Sequence, residues 1–125
     1  MHVRCYRDLE VWQFGIRLTQ RTYQLTRTFP KHELYGLCNQ MQRAAVSIPA
    51  NIAEGHARSS TKEFLHHLSI ARGSLAELET LLVISQELEY CQPTAVAEMF
   101  QSCDHISRMI AGLQHRLTEK LQRDA

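Results

Sequence analysis

Apolar residues recur at alternating three- and four-residue steps along almost the whole chain, the spacing that lines one face of an α-helix. Leu9, Trp12, Ile16, Thr19, Tyr23 and Thr26 form the first row. Asp8 precedes it as a candidate N-cap and Phe29-Pro30 closes it, which predicts a helix over about residues 8–28. The second row, Leu34, Leu37, Met41, Ala45, Ile48 and Ile52, continues on both sides of Pro49 and stops near Gly55. It predicts a helix over about residues 33–57, kinked at Pro49. An interior proline loses a backbone hydrogen bond and costs roughly 3 kcal/mol, so neighbouring helices must hold this one in place.

Ser60, with Glu63 three residues later, is a capping-box signature for a third helix over about residues 61–89. Its row is Phe64, Leu68, Ala71, Leu75, Leu78, Leu82 and Ser85. After Tyr90-Cys91-Gln92-Pro93, a fourth helix over about residues 93–121 carries Val96, Met99, Cys103, Ile106, Ile110, Leu113 and Leu117 in heptad spacing. Rods of roughly 30–40 Å joined by short connections predict an all-α, antiparallel up-down-up-down four-helix bundle. The 125 residues suit a single domain over 1–125.

Two helices hold more apolar surface than one bundle requires. Val11, Gly15, Leu18, Thr22, Leu25 and Phe29 form a second row on the first helix, and Leu81, Ile84, Leu88 and Cys91 lie off the main row of the third. The surplus predicts a homo-oligomer or a protein partner, with Val11, Leu18, Leu25, Leu81, Ile84 and Leu88 at the interface. A wide stripe serving one large core is the alternative. Gly73 costs up to ~1 kcal/mol of helix propensity relative to Ala, which predicts close helix packing there as compensation. Trp12 and Tyr23, on the main row, read as core rather than as a base-stacking platform.

The net charge of +1 conceals an asymmetry. Residues 1–62 hold nine Lys/Arg against four Asp/Glu, a balance of +5, whereas residues 63–125 hold five against nine, a balance of −4. Basic and acidic helices can attract one another within or between copies. A basic face can equally meet phosphate backbones. The longest apolar runs fall short of the ~18 residues of a membrane span, and Met1-His2-Val3-Arg4-Cys5-Tyr6-Arg7 lacks the apolar stretch of a secretory signal. The expected location is cytoplasmic, with Cys5, Cys38, Cys91 and Cys103 as scattered reduced thiols.

Candidate chemistry is sparse. Glu63 and His66 form one E-x-x-H, but a di-iron centre in a bundle needs two copies, and His66 and His67 diverge around a helix. Arg108 and His115 have the R-x6-H spacing that resembles the ribonuclease motif of the HEPN bundle family, although Met109 follows the arginine where that family has a polar residue. There is no nucleophile elbow, P-loop or Gly-rich dinucleotide loop. The expectation is no catalytic residue, no metal and no cofactor, with a metal-independent ribonuclease using Arg108 and His115 as an alternative.

Five blocks carry a wider resemblance: Tyr6-Arg7-Asp8-Leu9-Glu10-Val11-Trp12, Tyr35-Gly36-Leu37, the run from Gln42 through Pro49-Ala50-Asn51-Ile52-Ala53-Glu54-Gly55, Glu63-Phe64, and Gly73-Ser74-Leu75-Ala76-Glu77-Leu78-Glu79-Thr80. In that order the chain resembles the four-helix-bundle proteins encoded in 23S ribosomal RNA intervening sequences. The resemblance implies an antiparallel bundle assembled as a homopentamer. It also implies kinship with accessory proteins of diversity-generating retroelements, which bind nucleic acid and a reverse transcriptase. Arg43 and Arg58 match recurrent basic positions of that family, and it supplies no catalytic residue. The expected function is therefore a non-catalytic oligomeric scaffold binding structured RNA, or a nucleic-acid enzyme, through Arg43, Arg58, Lys62, Arg17 and Arg21. A protein-interaction module without nucleic-acid affinity is the alternative from another class.

Overall fold

The structure is a computed structural model that describes residues 5–125; the first four residues of the predicted domain, and of the segment read for a secretory signal, lie outside them. Four helices, α1 (Glu10–Thr26), α2 (Leu37–Ala57), α3 (Thr61–Glu87) and α4 (Pro93–Arg123), make up the domain, and no strand occurs among the described residues. Each helix packs on two others: α1 and α3 both touch α2 and α4. This closed ring makes a four-helix bundle around one apolar core.

The helix ends obey local chemistry. Leu9, not Asp8, is the N-cap of α1, because Tyr6–Asp8 is wound into a 3-10 turn of its own. The second helix starts four residues later than the apolar row predicts. Lys31–Glu33 form another 3-10 turn, Leu34 is left exposed, and the Glu33 carboxylate accepts a bond from the Leu37 N–H at 3.2 Å. Ser60 caps α3 as its signature predicts, its hydroxyl accepting from the Glu63 N–H at 3.3 Å. At the far end of α3, Glu89 takes a left-handed φ of 62°, and the Tyr90 N–H donates to the Ser85 carbonyl at 2.9 Å. That pairing ends the helix two residues before the predicted boundary.

The core corrects the reading of α1. Its buried residues are Val11, Gly15, Leu18, Thr22 and Thr26, whereas Trp12, Ile16 and Thr19 are half-buried and Tyr23 is exposed. Gly15 explains the rotation: a Cβ there would lie 3.2 Å from the Pro49 Cβ, so α1 presses its one bare position onto α2. The flanking Val11 and Leu18 are carried inward with it, and neither remains on the surface for a second chain. Leu81 is likewise buried, because α3 faces two neighbours and buries a stripe that includes Ala71, Ser74, Leu78 and Leu81 as well as Leu68, Leu75 and Leu82. Of the six expected interface residues, Leu25 is half-buried and only Ile84 and Leu88 are exposed. Gly73 departs from its expectation too: it is exposed, with nothing from a neighbouring helix within 4 Å of where a Cβ would stand.

Candidate nucleic-acid interface

The five basic residues marked by the sequence occupy three separate places. Arg58, just past the end of α2, is engaged by two carboxylates, Glu54 at 3.0 Å and Glu63 at 3.7 Å. Its charge is locally compensated. Lys62 is exposed in the first turn of α3 beside that cluster in sequence. Arg43 is exposed on α2, where it lines a shallow groove with Asn39, Gln40, Ser47, Ser74 and Glu77.

Arg17 and Arg21 are brought together. Both line a cleft of about 430 Å³ between α1 and α4, with Phe14 beside them and Glu98, Gln101, Ser102 and His105 opposite. The row Phe14-Arg17-Arg21 flanks the buried face of α1 at three- and four-residue steps, and Glu98-Ser102-His105 flanks the buried face of α4 in the same way. Buried Leu18 and Ile106 form the floor. The Arg17 guanidinium sits 4.4 Å from the centre of the Phe14 ring, and that ring meets His105 edge-on at 4.6 Å. Arg21 donates to the Ser102 hydroxyl at 2.8 Å. Among the described residues neither arginine is ion-paired with a carboxylate. A ring face and a hydroxyl therefore orient two guanidinium groups without neutralising them, in contrast to Arg58.

Phe14, Gln101, Ser102 and His105 escaped the sequence reading, which followed only the deepest rows. Phe14, Ser102 and His105 each stand one position off those rows and Gln101 two, but joining them requires knowing which flank of α1 meets α4.

Arg108 and His115, the pair of the alternative ribonuclease reading, are both exposed on α4. Arg108 is held by Asp104 at 2.8 Å, and the His115 Nε2 lies 3.5 Å from a Glu119 oxygen, each partner being on α4 itself. The two candidate groups are seven residues apart, about 10 Å along the helix. No cluster of three or more His, Cys, Asp or Glu suited to a metal occurs among the described residues. Burial pushes the Cys103 thiol up to about 12, aided by nearby Glu79, and raises Cys38 as well. Both buried thiols stay protonated at neutral pH. No helix among the described residues is long and apolar enough to cross a membrane.

The run through Pro49 and Gly55 has a packing role. Ile48 and Ile52 are fully buried, and Pro49 receives Gly15 of α1. Asn51 donates to the Ser47 carbonyl at 2.8 Å and pairs through its side-chain oxygen with the His67 Nδ1 at 3.1 Å, joining α2 to α3. The Ser74 hydroxyl closes the same seam by bonding to Ser47 at 2.8 Å. Gly55 lies so near α3 that a Cβ would stand 2.7 Å from the His67 Cβ.

None of the curated proteins compared with this chain matches it. The family model described as 23S rRNA-intervening sequence protein matches residues 7–112, which takes in the 3-10 turn at Tyr6–Asp8 almost entirely, all of α1 to α3 and most of α4. With the helical ring and its signature run in agreement, the chain belongs to the 23S rRNA-intervening sequence protein family.

Proposed function

We propose that this protein is a non-catalytic, homo-oligomeric helical scaffold that holds RNA, or an enzyme acting on nucleic acid such as a reverse transcriptase, through basic residues repeated from copy to copy. The observation that carries this reading is the α1/α4 cleft, where Arg17 and Arg21 are held by neutral groups and keep their charge for an outside anion. Arg43 and Lys62 add exposed positive charge elsewhere on the protomer. In the same reading the helices run up-down-up-down, α2 is kinked at Pro49, and five copies assemble in the cytoplasm. Five copies of a modest site gain avidity wherever one RNA can span them.

Self-association would use the outer side of α3. Ile70, Val83, Ile84 and Leu88 are all at least 39% exposed there, with Gly73 among them. A helix that shows water so much apolar surface offers a contact between copies. The opposite charges of the two chain halves would favour contact between unlike faces, the kind that closes into a ring. A protein-docking reading draws on the connection after α1, where Leu34 is 54% and Tyr35 90% exposed.

One experiment tests the main reading: native mass of the purified protein together with its binding to a structured ribosomal RNA fragment across a salt series. The expected result is a fivefold mass and an affinity that falls steeply as salt rises, the mark of phosphate contacts. A monomer mass overturns the assembly, and absence of binding at low salt overturns the nucleic-acid role in favour of protein docking.

A further inference from the structure

We infer that the α1/α4 cleft is a nucleotide-sized site, taking one ribonucleoside phosphate per protomer with its phosphate against Arg17 and Arg21. The inference rests on the nucleic-acid reading above and gives it a place and a unit. Three features of the cleft select this chemistry over a plain anion.

The first is the state of the arginines. A guanidinium already bridged to carboxylates, as Arg58 is by Glu54 and Glu63, gains little from a phosphate, because the newcomer must displace an ion pair. Arg17 rests on a ring and Arg21 on a hydroxyl, so a phosphate adds charge-assisted hydrogen bonds without breaking an ion pair. Arg21 uses one of its five N–H donors on Ser102 and keeps the remainder.

The second is the mixture of surfaces. His105 and the guanidinium of Arg17, which itself covers the Phe14 ring, offer planar groups beside the apolar floor of Leu18 and Ile106, where a base can lie. Sulfate or inorganic phosphate would leave that surface unused. The third is Glu98, the one carboxylate lining the cleft. A carboxylate accepts hydrogen bonds from a ribose diol, a donor pair that a plain sulfate does not bring. The volume of about 430 Å³ lies within the range of small-ligand sites, roughly 300–1,000 Å³.

A free mononucleotide and a nucleotide within an RNA strand share this chemistry, and the test separates them. The full-length protein is titrated with inorganic phosphate, with uridine monophosphate and with a single-stranded hexauridylate, while histidine-ring NMR signals are followed. His105 is assigned by the signal that disappears in His105→Gln. The expected result is a shift at His105 with the nucleotide or the hexamer and a much smaller one with phosphate.

Affinity for the hexamer should fall tenfold or more in Arg17→Gln/Arg21→Gln. The slope of log affinity against log salt should also flatten by roughly 0.7 for each phosphate that the variant no longer neutralises. Arg27→Gln, which removes one charge just past α1 and outside the cleft lining, should bind like the parent. Circular dichroism and native mass of each variant confirm that the bundle persists.

Tight binding of the mononucleotide alone identifies a free ligand, whereas binding only of the hexamer identifies the strand. Hexamer binding with no response at His105, or unaltered in the double variant, overturns the cleft while leaving the nucleic-acid reading intact. No binding of any RNA by the parent protein overturns both.

Discussion

The two seams of α2 and the seam between α1 and α4 are built from opposite materials. Along α2 the packing is dry and close: Gly15 lies against Pro49, Gly55 against His67 and Phe64, and Ala45, Ile48 and Ile52 have no exposed surface. Between α1 and α4 the helices enclose a cleft whose rim is Phe14, Arg17, Arg21, Ser102 and His105. In the first arrangement the core positions are closed and open grooves remain only at the outer edge, where Arg43, Ser47, Ser74 and Glu77 lie, while Asn51 is satisfied internally by Ser47 and His67. The second keeps two guanidinium groups oriented with no carboxylate ion-paired to either among the described residues, although Glu98 shares the lining. In this protein the most recognisable stretch of sequence packs the α2 seams, and the proposed site lies on the opposite flank of α1.

The largest effect should come from filling the closest approach. Gly55→Ala gains about 1 kcal/mol of helix propensity, but its Cβ would stand 2.7 Å from the His67 Cβ and 2.9 Å from the Phe64 Cδ1. A Cβ is fixed to its backbone and cannot swing away, so α2 and α3 must separate. Overpacking of this kind costs typically ~1–3 kcal/mol, and with the backbone cost toward the upper end of that range the net loss in chemical denaturation reaches about 2 kcal/mol. A variant as stable as the parent would show that the α2/α3 seam can yield, and the contrast with the α1/α4 cleft would weaken.

The contrast itself was only half legible in the sequence. Seam residues such as Met41, Ile48, Leu68, Leu75, Cys103 and Ile106 could be read from spacing alone, since a three-four apolar row has one physical use in a short soluble helix. The rotation of α1 could not. Its two rows, one through Trp12 and Ile16 and one through Val11 and Leu18, are nearly equal in hydrophobicity, and the choice between them turns on Gly15 meeting Pro49 across 34 positions of chain. That meeting adds nothing to a local pattern. The cleft was hidden for the same reason: Arg17 and Arg21 could be seen as basic, but Ser102 and His105 became their neighbours only once the flank of α1 facing α4 was fixed.

Gly73 sharpens the comparison from the other side, because it is a glycine with no tight partner in the protomer. If Gly73 served only the isolated bundle, Gly73→Ala would stabilise it by up to ~1 kcal/mol through helix propensity. If α3 meets a second copy there, the added methyl group holds the chains apart, and the expected outcome is a native mass that falls toward the monomer at concentrations where the parent stays assembled. An unchanged mass with a higher denaturation midpoint would move the contact between copies away from Gly73.

The smallest effect concerns a half-buried charge on α3 where it faces α4. Glu79 on α3 is half-buried; burial first, and the Asp104 carboxylate second, raise its pKa above the ordinary value of 4.5. An acid with a raised folded pKa binds its proton more tightly in the native state than in the unfolded chain. The folded protein therefore loses stability as pH climbs from the ordinary glutamate range through the raised value, and the loss is complete above it. Glu79→Gln removes the ionisation, so at neutral pH the variant should be the more stable of the two. Below about pH 4, where glutamate is largely protonated in both states, that advantage should vanish. Denaturation midpoints of both proteins at the two pH values provide the check. An advantage of the same size at both would trace the gain to packing, and a less stable variant at neutral pH would mean that the Glu79 carboxylate has a favourable partner. With the predicted result, steric fit limits the α2/α3 seam while desolvated charge limits the α3/α4 seam, across α4 from the cleft that Arg17 and Arg21 line.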